Sequence, residues 1–149
     1  MKAILLAGGL GTRISEETAD KPKPMVLING KPILEHIIDI FRIQGIDEFI
    51  VAAGYKSEVV HIWATEALTR GINVTVVDTG LETQTGGRIK QCMNMIGKER
   101  VLVTYGDGLG NVNVGDLLEY HTQHGKLATV TAVRPPARFG VLELSLIHI

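Results

Sequence analysis

Residues able to bind and polarise an anion cluster near the start of the chain, in Leu6-Ala7-Gly8-Gly9-Leu10-Gly11-Thr12-Arg13. Gly8, Gly9 and Gly11 lack the Cβ atoms that would hold backbone N–H groups away from a ligand, and they permit positive φ where a turn demands it. Thr12 adds a hydroxyl, and Arg13 a fixed charge that can pair with two phosphate oxygens at once. The pattern suits a polyphosphate. It is not a P-loop, because no Gly-Lys-Ser/Thr closes it. It is not the dinucleotide fingerprint either, because Ile14 stands where the last glycine would be. The same residues also read as a glycine-rich strand-to-loop turn without a ligand.

Three further stretches carry candidate chemistry. Lys21-Pro22-Lys23-Pro24-Met25 sets Lys23 between prolines that restrict its backbone and favour an extended path, from which it can reach phosphates held by the glycine loop. An ordinary solvated lysine is the alternative. Tyr105-Gly106-Asp107-Gly108 follows an apolar run, so Asp107 stands at a strand's carboxyl end, where a carboxylate can hold Mg²⁺ together with substrate phosphates. An Asp-Gly turn is the plainer reading. Asp78-Thr79-Gly80 and Thr85-Gly86-Gly87-Arg88 flank a short loop, the second opening a helix whose first amides and small side chains can accept a base or ribose. That segment equally reads as a simple strand-to-helix connection.

The elements that must position these residues alternate regularly. Ala3 to Leu6 and Phe49 to Ala53 form continuous apolar runs, as do Val74 with Val76 and Val77, Val101 to Tyr105, and Leu127 to Val133; all read as strands. Helical spacing joins Leu34, Ile37, Ile38 and Phe41, with Pro32 opening and Gly45 closing that helix. It recurs in Val59, Ile62 and Trp63, ended near Gly71, in Ile89, Cys92, Met93 and Ile96, and in Val114 to His121. Strand–helix alternation with wholly apolar strands predicts an α/β fold, a doubly wound, mostly parallel sheet with helices on both faces. Ligands bind beyond the carboxyl ends of such strands, where the glycine loop, the Asp78 to Gly87 segment and Gly106-Asp107-Gly108 fall.

With 149 residues, 45% of them hydrophobic, the chain fits a single domain with a real core. A formal net charge of −1 gives no argument for nucleic acid or a membrane surface. The lone Cys92 excludes an internal disulfide, fits a reducing, cytoplasmic setting, and sits on an apolar helical stripe as a core residue. No signal peptide or membrane-span-length apolar stretch is evident. The five histidines show no metal-ligand spacing, and His121 and His124 read as surface or capping residues.

Taken together and in this order, LAGGLGTR, KPKPM, GKPILEH, TGGR and TYGDG resemble the sugar-phosphate nucleotidylyltransferases, within them the glucose-1-phosphate cytidylyltransferase branch. The resemblance implies a Rossmann-like nucleotide-diphospho-sugar transferase fold, and joining of a nucleoside triphosphate, with CTP favoured, to a sugar 1-phosphate. It implies that Leu6, Ala7, Gly8, Gly9, Gly11, Thr12 and Arg13 bind the triphosphate, with Arg13 also catalytic. Lys23 would be the second catalytic cation, at the α-phosphate. Thr85, Gly86, Gly87 and Arg88 would line the base and ribose pocket, and Asp107 would be one of two Mg²⁺ ligands. The longer family form leaves a homo-oligomer open. Two departures accompany the likeness. The match runs to about Leu144, after which residues 145–149 have no counterpart, and the sugar-binding second half is absent, so a truncated enzyme is expected. The passage from Gly71 to Val74 also lacks a segment that cytidylyltransferases carry.

Overall fold

The computed structural model describes residues 1–9 and 18–133; Gly11, Thr12, Arg13 and the tail 145–149 lie outside the described residues. Two compact units divide the chain, Met1–Val114 and Gly115–Ile149. The first holds β1 (Lys2–Ala7), a short 3₁₀ turn (Lys23–Met25), β2 (Leu27–Ile28), β3 (Lys31–Pro32), α1 (Ile33–Ile43), β4 (Glu48–Ala53), α2 (Ser57–Thr69), β5 (Asn73–Asp78), α3 (Thr85–Ile96) and β6 (Val101–Tyr105). α4 (Val114–His124) follows.

Four strands form one sheet in the order β5-β4-β1-β6, every pair parallel. The register sets Ala7 beside Ala53, Ala53 beside Asp78, and Leu6 beside Tyr105, so the carboxyl ends of all four strands are level. The chain runs outward from β1 to β4 and β5, then returns to β6 on the other side of β1. This reversal opens a crevice between β1 and β6, the place where doubly wound sheets bind ligands.

Strand alternation supplies the two buried faces. Ile4, Leu6, Ile50 and Ala52 meet Ile89, Cys92, Met93 and Ile96 of α3. Ala3, Leu5, Ala7, Phe49, Val51 and Ala53 are also buried and point to the opposite face, where right-handed crossovers put α1 and α2. Those two helices are tied by Glu35, only 3% exposed, whose carboxylate accepts from Trp63 Nε1 at 2.9 Å and from Arg70 at 2.6 and 2.9 Å. Both end in the glycine-dependent motif in which the last carbonyls are satisfied by the following turn. Gly45 (φ +83°) and Gly71 (φ +79°) are left-handed, while Ile46 and Ile72 N–H donate back to Phe41 and Ala67. The Gly71 turn leads into β5 within two residues, so the short connection noted in the sequence closes without strain.

Three expectations are corrected. The buried stripe of α2 is Val60, Trp63, Ala64 and Ala67, and Ile62 is exposed. Alanines, silent in a search for large apolar residues, are what let the helix lie close to the sheet. Asn29-Gly30 turns a small hairpin between β2 and β3, both residues at positive φ, which the strand reading passed over although Asn-Gly is a strong hairpin signal. Leu127 to Val133 is not a strand: the described residues there are irregular, and Leu127, Val130 and Val133 are exposed. Apolar composition alone does not make a strand without a partner to complete its hydrogen bonds.

In the second unit His121 Nδ1 and His124 Nε2 both approach Thr129 Oγ1, at 2.8 and 2.7 Å, and His124 Nδ1 accepts from Lys126 N–H. That is a capping role. Among the described residues no group of three or more His, Cys, Asp or Glu is placed to hold a metal, and no helix is long and apolar enough to cross a membrane.

Candidate nucleotide site

A cleft of about 330 Å³ lies at the carboxyl ends of β1 and β6. Its walls are Leu6 to Gly9 leaving β1, Lys23 and Pro24 of the 3₁₀ turn, Leu81 to Thr85 with Arg88 leading into α3, and Tyr105 and Asp107 leaving β6. Eight of the expected site residues therefore meet in one place: Leu6, Ala7, Gly8, Gly9, Lys23, Thr85, Arg88 and Asp107. Gly86 and Gly87 stand just beyond it in the exposed first turn of α3, Gly87 packed so close to Thr83 that an added Cβ would lie 2.8 Å from its methyl.

Lys23 is directed by its turn. Pro22 is extended, as the proline pattern predicts, but Lys23 itself enters a 3₁₀ turn closed by Met25 N–H to Pro22 O at 2.8 Å. Burial of Pro22, Pro24 and Met25 holds this turn against the extended preference of a residue before proline. The turn carries Lys23 Nζ to 2.8 Å from Asp107 Oδ2, each side chain about one-third exposed, at 33% and 30%.

Asp107 is set by Gly106. The Gly106 N–H donates to Leu6 O at 2.9 Å, joining β6 to β1 at the crevice. A Cβ on Gly106 would come within 3.1 Å of that same oxygen and 3.3 Å of Pro24.

Arg88 lines the cleft as expected but is also bound into the protein. It is 6% exposed, and both terminal nitrogens of its guanidinium are bonded to the protein. Nη1 donates to Ala53 O and Thr79 Oγ1, and Nη2 to Gly8 O and Leu81 O at 3.1 Å each. Thr79 in turn donates its hydroxyl to Ala53 O at 2.6 Å. The guanidinium thus fastens the ends of β1 and β4 to the loop before α3. Burial lowers its pKa below the ordinary guanidinium value, while the nearby Asp78 charge opposes that. Asp78 is likewise committed. Gly80 N–H and the Ser57 hydroxyl both donate to its carboxylate, and these bonds hold its pKa down.

The turn after β4 is also anchored. Tyr55 N–H donates to Gly8 O, and the Tyr55 hydroxyl donates to Thr18 O at 3.1 Å and Ala19 O at 3.2 Å. Gly9 and Thr18, the described residues on either side of the 10–17 segment, are therefore brought to the same corner of the molecule.

Thr83, Gln84 and Tyr105 line the cleft without having been singled out as site residues. Gln84 is the N-cap of α3 and makes no side-chain cap hydrogen bond, and with Thr85 it brings the N-terminus of that helix, with its partial positive charge, to the cleft wall. The signal available was the position of Leu81 to Gln84 between Gly80 and the Gly86-Gly87 pair.

A comparison with family models matches residues 2–146 to the nucleotidyl transferase family. The chain belongs to that family. Among its relatives is glucose-1-phosphate cytidylyltransferase of Salmonella typhimurium, 42% identical over 97% of this chain and 65% of that protein. Another is D-glycero-alpha-D-manno-heptose 1-phosphate guanylyltransferase of Aneurinibacillus thermoaerophilus, 33% identical over 93% of this chain and 60% of that protein. Among solved structures, HddC from Yersinia pseudotuberculosis complexed with GMP-PN superposes with a TM-score of 0.70 at 29% identity, covering 80% of this chain and 53% of that one. The chain thus spans about 65% of the length of the cytidylyltransferase it matches.

Proposed function

We propose that the chain is the nucleotide-binding part of a sugar-1-phosphate nucleotidyltransferase that joins CTP and glucose 1-phosphate to give CDP-glucose and pyrophosphate. The observation that carries this reading is the convergence of Gly8, Gly9, Lys23, Asp107 and the α3 N-terminus on one cleft at the β1/β6 switch point. Such a site offers donors and positive charge to a polyphosphate from three sides. A sugar phosphate oxygen attacks the α-phosphorus in line while pyrophosphate leaves, so bringing two anions together is the main difficulty. Lys23 would neutralise the α-phosphate, Arg13 would offset charge on the leaving group, and the glycine amides would fix the triphosphate's orientation.

Asp107 fits a divalent cation of the Mg²⁺ type. It is a partly exposed carboxylate on the cleft wall, and a hard cation held by one carboxylate completes its shell with phosphate and water oxygens. Mg²⁺ there would supply charge neutralisation of the phosphates. A cytoplasmic location belongs to the same reading.

Base choice is the finer part. CTP rests on the 42% likeness to a cytidylyltransferase, against which stands a guanylyltransferase at 33%. Pyrophosphate release should be measured with glucose 1-phosphate, Mg²⁺ and each of CTP, UTP, dTTP and GTP. The assay uses both this chain and a form extended to the relatives' length. Turnover highest with CTP supports the assignment; no turnover with any nucleotide in the extended form overturns the enzymatic reading. A second reading, nucleotide binding without catalysis by the 149-residue chain, is favoured by its shorter span and is separated by calorimetric titration with CTP.

A further inference from the structure

Lys23 and Asp107 are each assigned to a different ligand in the reading above, yet in the structure they pair with each other. Lys23 Nζ lies 2.8 Å from Asp107 Oδ2, and both side chains line the cleft while keeping about a third of their surface in solvent. While this pair is closed, Asp107 Oδ2 is not open to a cation, and the Lys23 charge is not open to a phosphate.

We propose that the Lys23–Asp107 ion pair is a latch that makes nucleotide binding and divalent-cation binding depend on each other. The inference rests on the proposed nucleotide site. A nucleotide arriving without a cation must draw Lys23 away and leave an unpaired carboxylate beside its own negative charge. A cation arriving alone must displace Lys23 and leave an ammonium beside a second positive charge. When both arrive, the one separation serves both, because Asp107 and Lys23 each gain an opposite charge. Interactions that share one cost in this way are coupled, and the coupling is reciprocal. The two residues come from elements far apart in sequence, the 3₁₀ turn after the glycine loop and the carboxyl end of β6. Their pairing therefore also ties the two sides of the crevice.

The latch makes a prediction opposite to simple loss of a binding group. Removing the metal carboxylate by Asp107→Asn frees Lys23, so binding of CTP in EDTA should tighten, by about two- to five-fold for a partly exposed pair. Lys23→Met should weaken that binding. In the Lys23→Met background the gain from Asp107→Asn should shrink, because no lysine remains to be freed. A gain equally large or larger in that background would show general relief of repulsion and overturn the latch.

The converse arm uses Mn²⁺ alone, followed by electron paramagnetic resonance. Lys23→Met should bind Mn²⁺ about two- to five-fold more tightly than the parent. Unchanged or weaker Mn²⁺ binding would count against the latch. Melting temperatures check that the fold persists, as expected for side chains outside the core. Absence of CTP binding in every variant would overturn the proposed nucleotide site, whereas the Mn²⁺ titration decides the ion pair's part by itself.

Discussion

Gly8 and Arg88 interlock across 80 positions of sequence: the Gly8 carbonyl accepts from Arg88 Nη2 at 3.1 Å, and a Cβ on Gly8 would overlap the guanidinium. The glycine is therefore required first by the protein, to admit a buried arginine, and not only by a ligand. Gly54, just past β4, serves the same guanidinium, since its added Cβ would lie 2.5 Å from Nη1 and 2.9 Å from Gly8 O.

Gly8→Ala should destabilise the fold, because Arg88 cannot shift without leaving buried carbonyls unpaired. A loss of about 2–3 kcal/mol is expected. Gly9, with nothing within 4 Å of its added Cβ, provides the contrast. Gly9→Ala should leave denaturant stability within about 0.5 kcal/mol while weakening CTP binding. Equal stability loss in the two variants would refute the division of labour between them.

Gly106→Ala should reach the site through packing. Its Cβ would sit 3.1 Å from Leu6 O, 3.2 Å from Leu34 Cδ1 and 3.3 Å from Pro24 Cγ, so the turn carrying Lys23 must give way. Overpacking of this kind costs about 1–3 kcal/mol. Gly108→Ala meets nothing within 4 Å and should keep the parent melting temperature. Thermal unfolding of the two variants side by side makes the comparison.

Glu35 predicts a pH dependence. Hydrogen bonds from Arg70, with one from Trp63, lower its pKa against the opposing effect of burial. The folded pKa therefore lies below the unfolded value of about 4.3. The stabilisation is complete above that value and is lost as pH falls through the folded pKa. At pH 7, Glu35→Ala should cost about 1–3 kcal/mol, the lower end reflecting the half-exposed side chain of Arg70. Glu35→Gln, which can still accept from Trp63, should cost less. In urea titrations the gap between Glu35→Gln and the parent should narrow from pH 5 to pH 3; a constant gap would contradict the linkage.

Transfer itself tests the two cations. In a chain extended to the relatives' length, Arg13→Ala and Lys23→Met should each lower kcat by about 10²–10³, as for loss of a preorganised charge donor. Steady-state pyrophosphate release measures this, and values within a few-fold of the parent would remove either residue from the catalytic assignment.

Much of the architecture was legible because its signals are local. Continuous apolar runs at 3–6, 49–53 and 101–105 mark parallel strands, the first two largely buried and the third only partly so, and glycines after helical stripes mark where α1 and α2 stop. The α2 stripe was misplaced because its close-packing residues are alanines, and the 127–133 run was misread because strand identity depends on a neighbour. The candidate site was legible as motifs, and eight of the named residues do share one cleft. The structural part of Arg88 was not legible, because nothing in Thr85-Gly86-Gly87-Arg88 reveals that four oxygens from three other parts of the chain surround its guanidinium.

By itself, the sequence determined the alternation of strands and helices and the inventory of charges and glycines, since periodicity and residue type act within a few positions of each other. The tertiary structure alone decided which of those groups meet. The strand order β5-β4-β1-β6 brings Asp107 to Lys23 and Arg88 to Gly8, pairings that arise only when a parallel sheet levels the carboxyl ends of strands distant in sequence. Whether a charge near the cleft is offered to a ligand or spent on the protein is a matter of burial and distance, and those exist only in the folded chain.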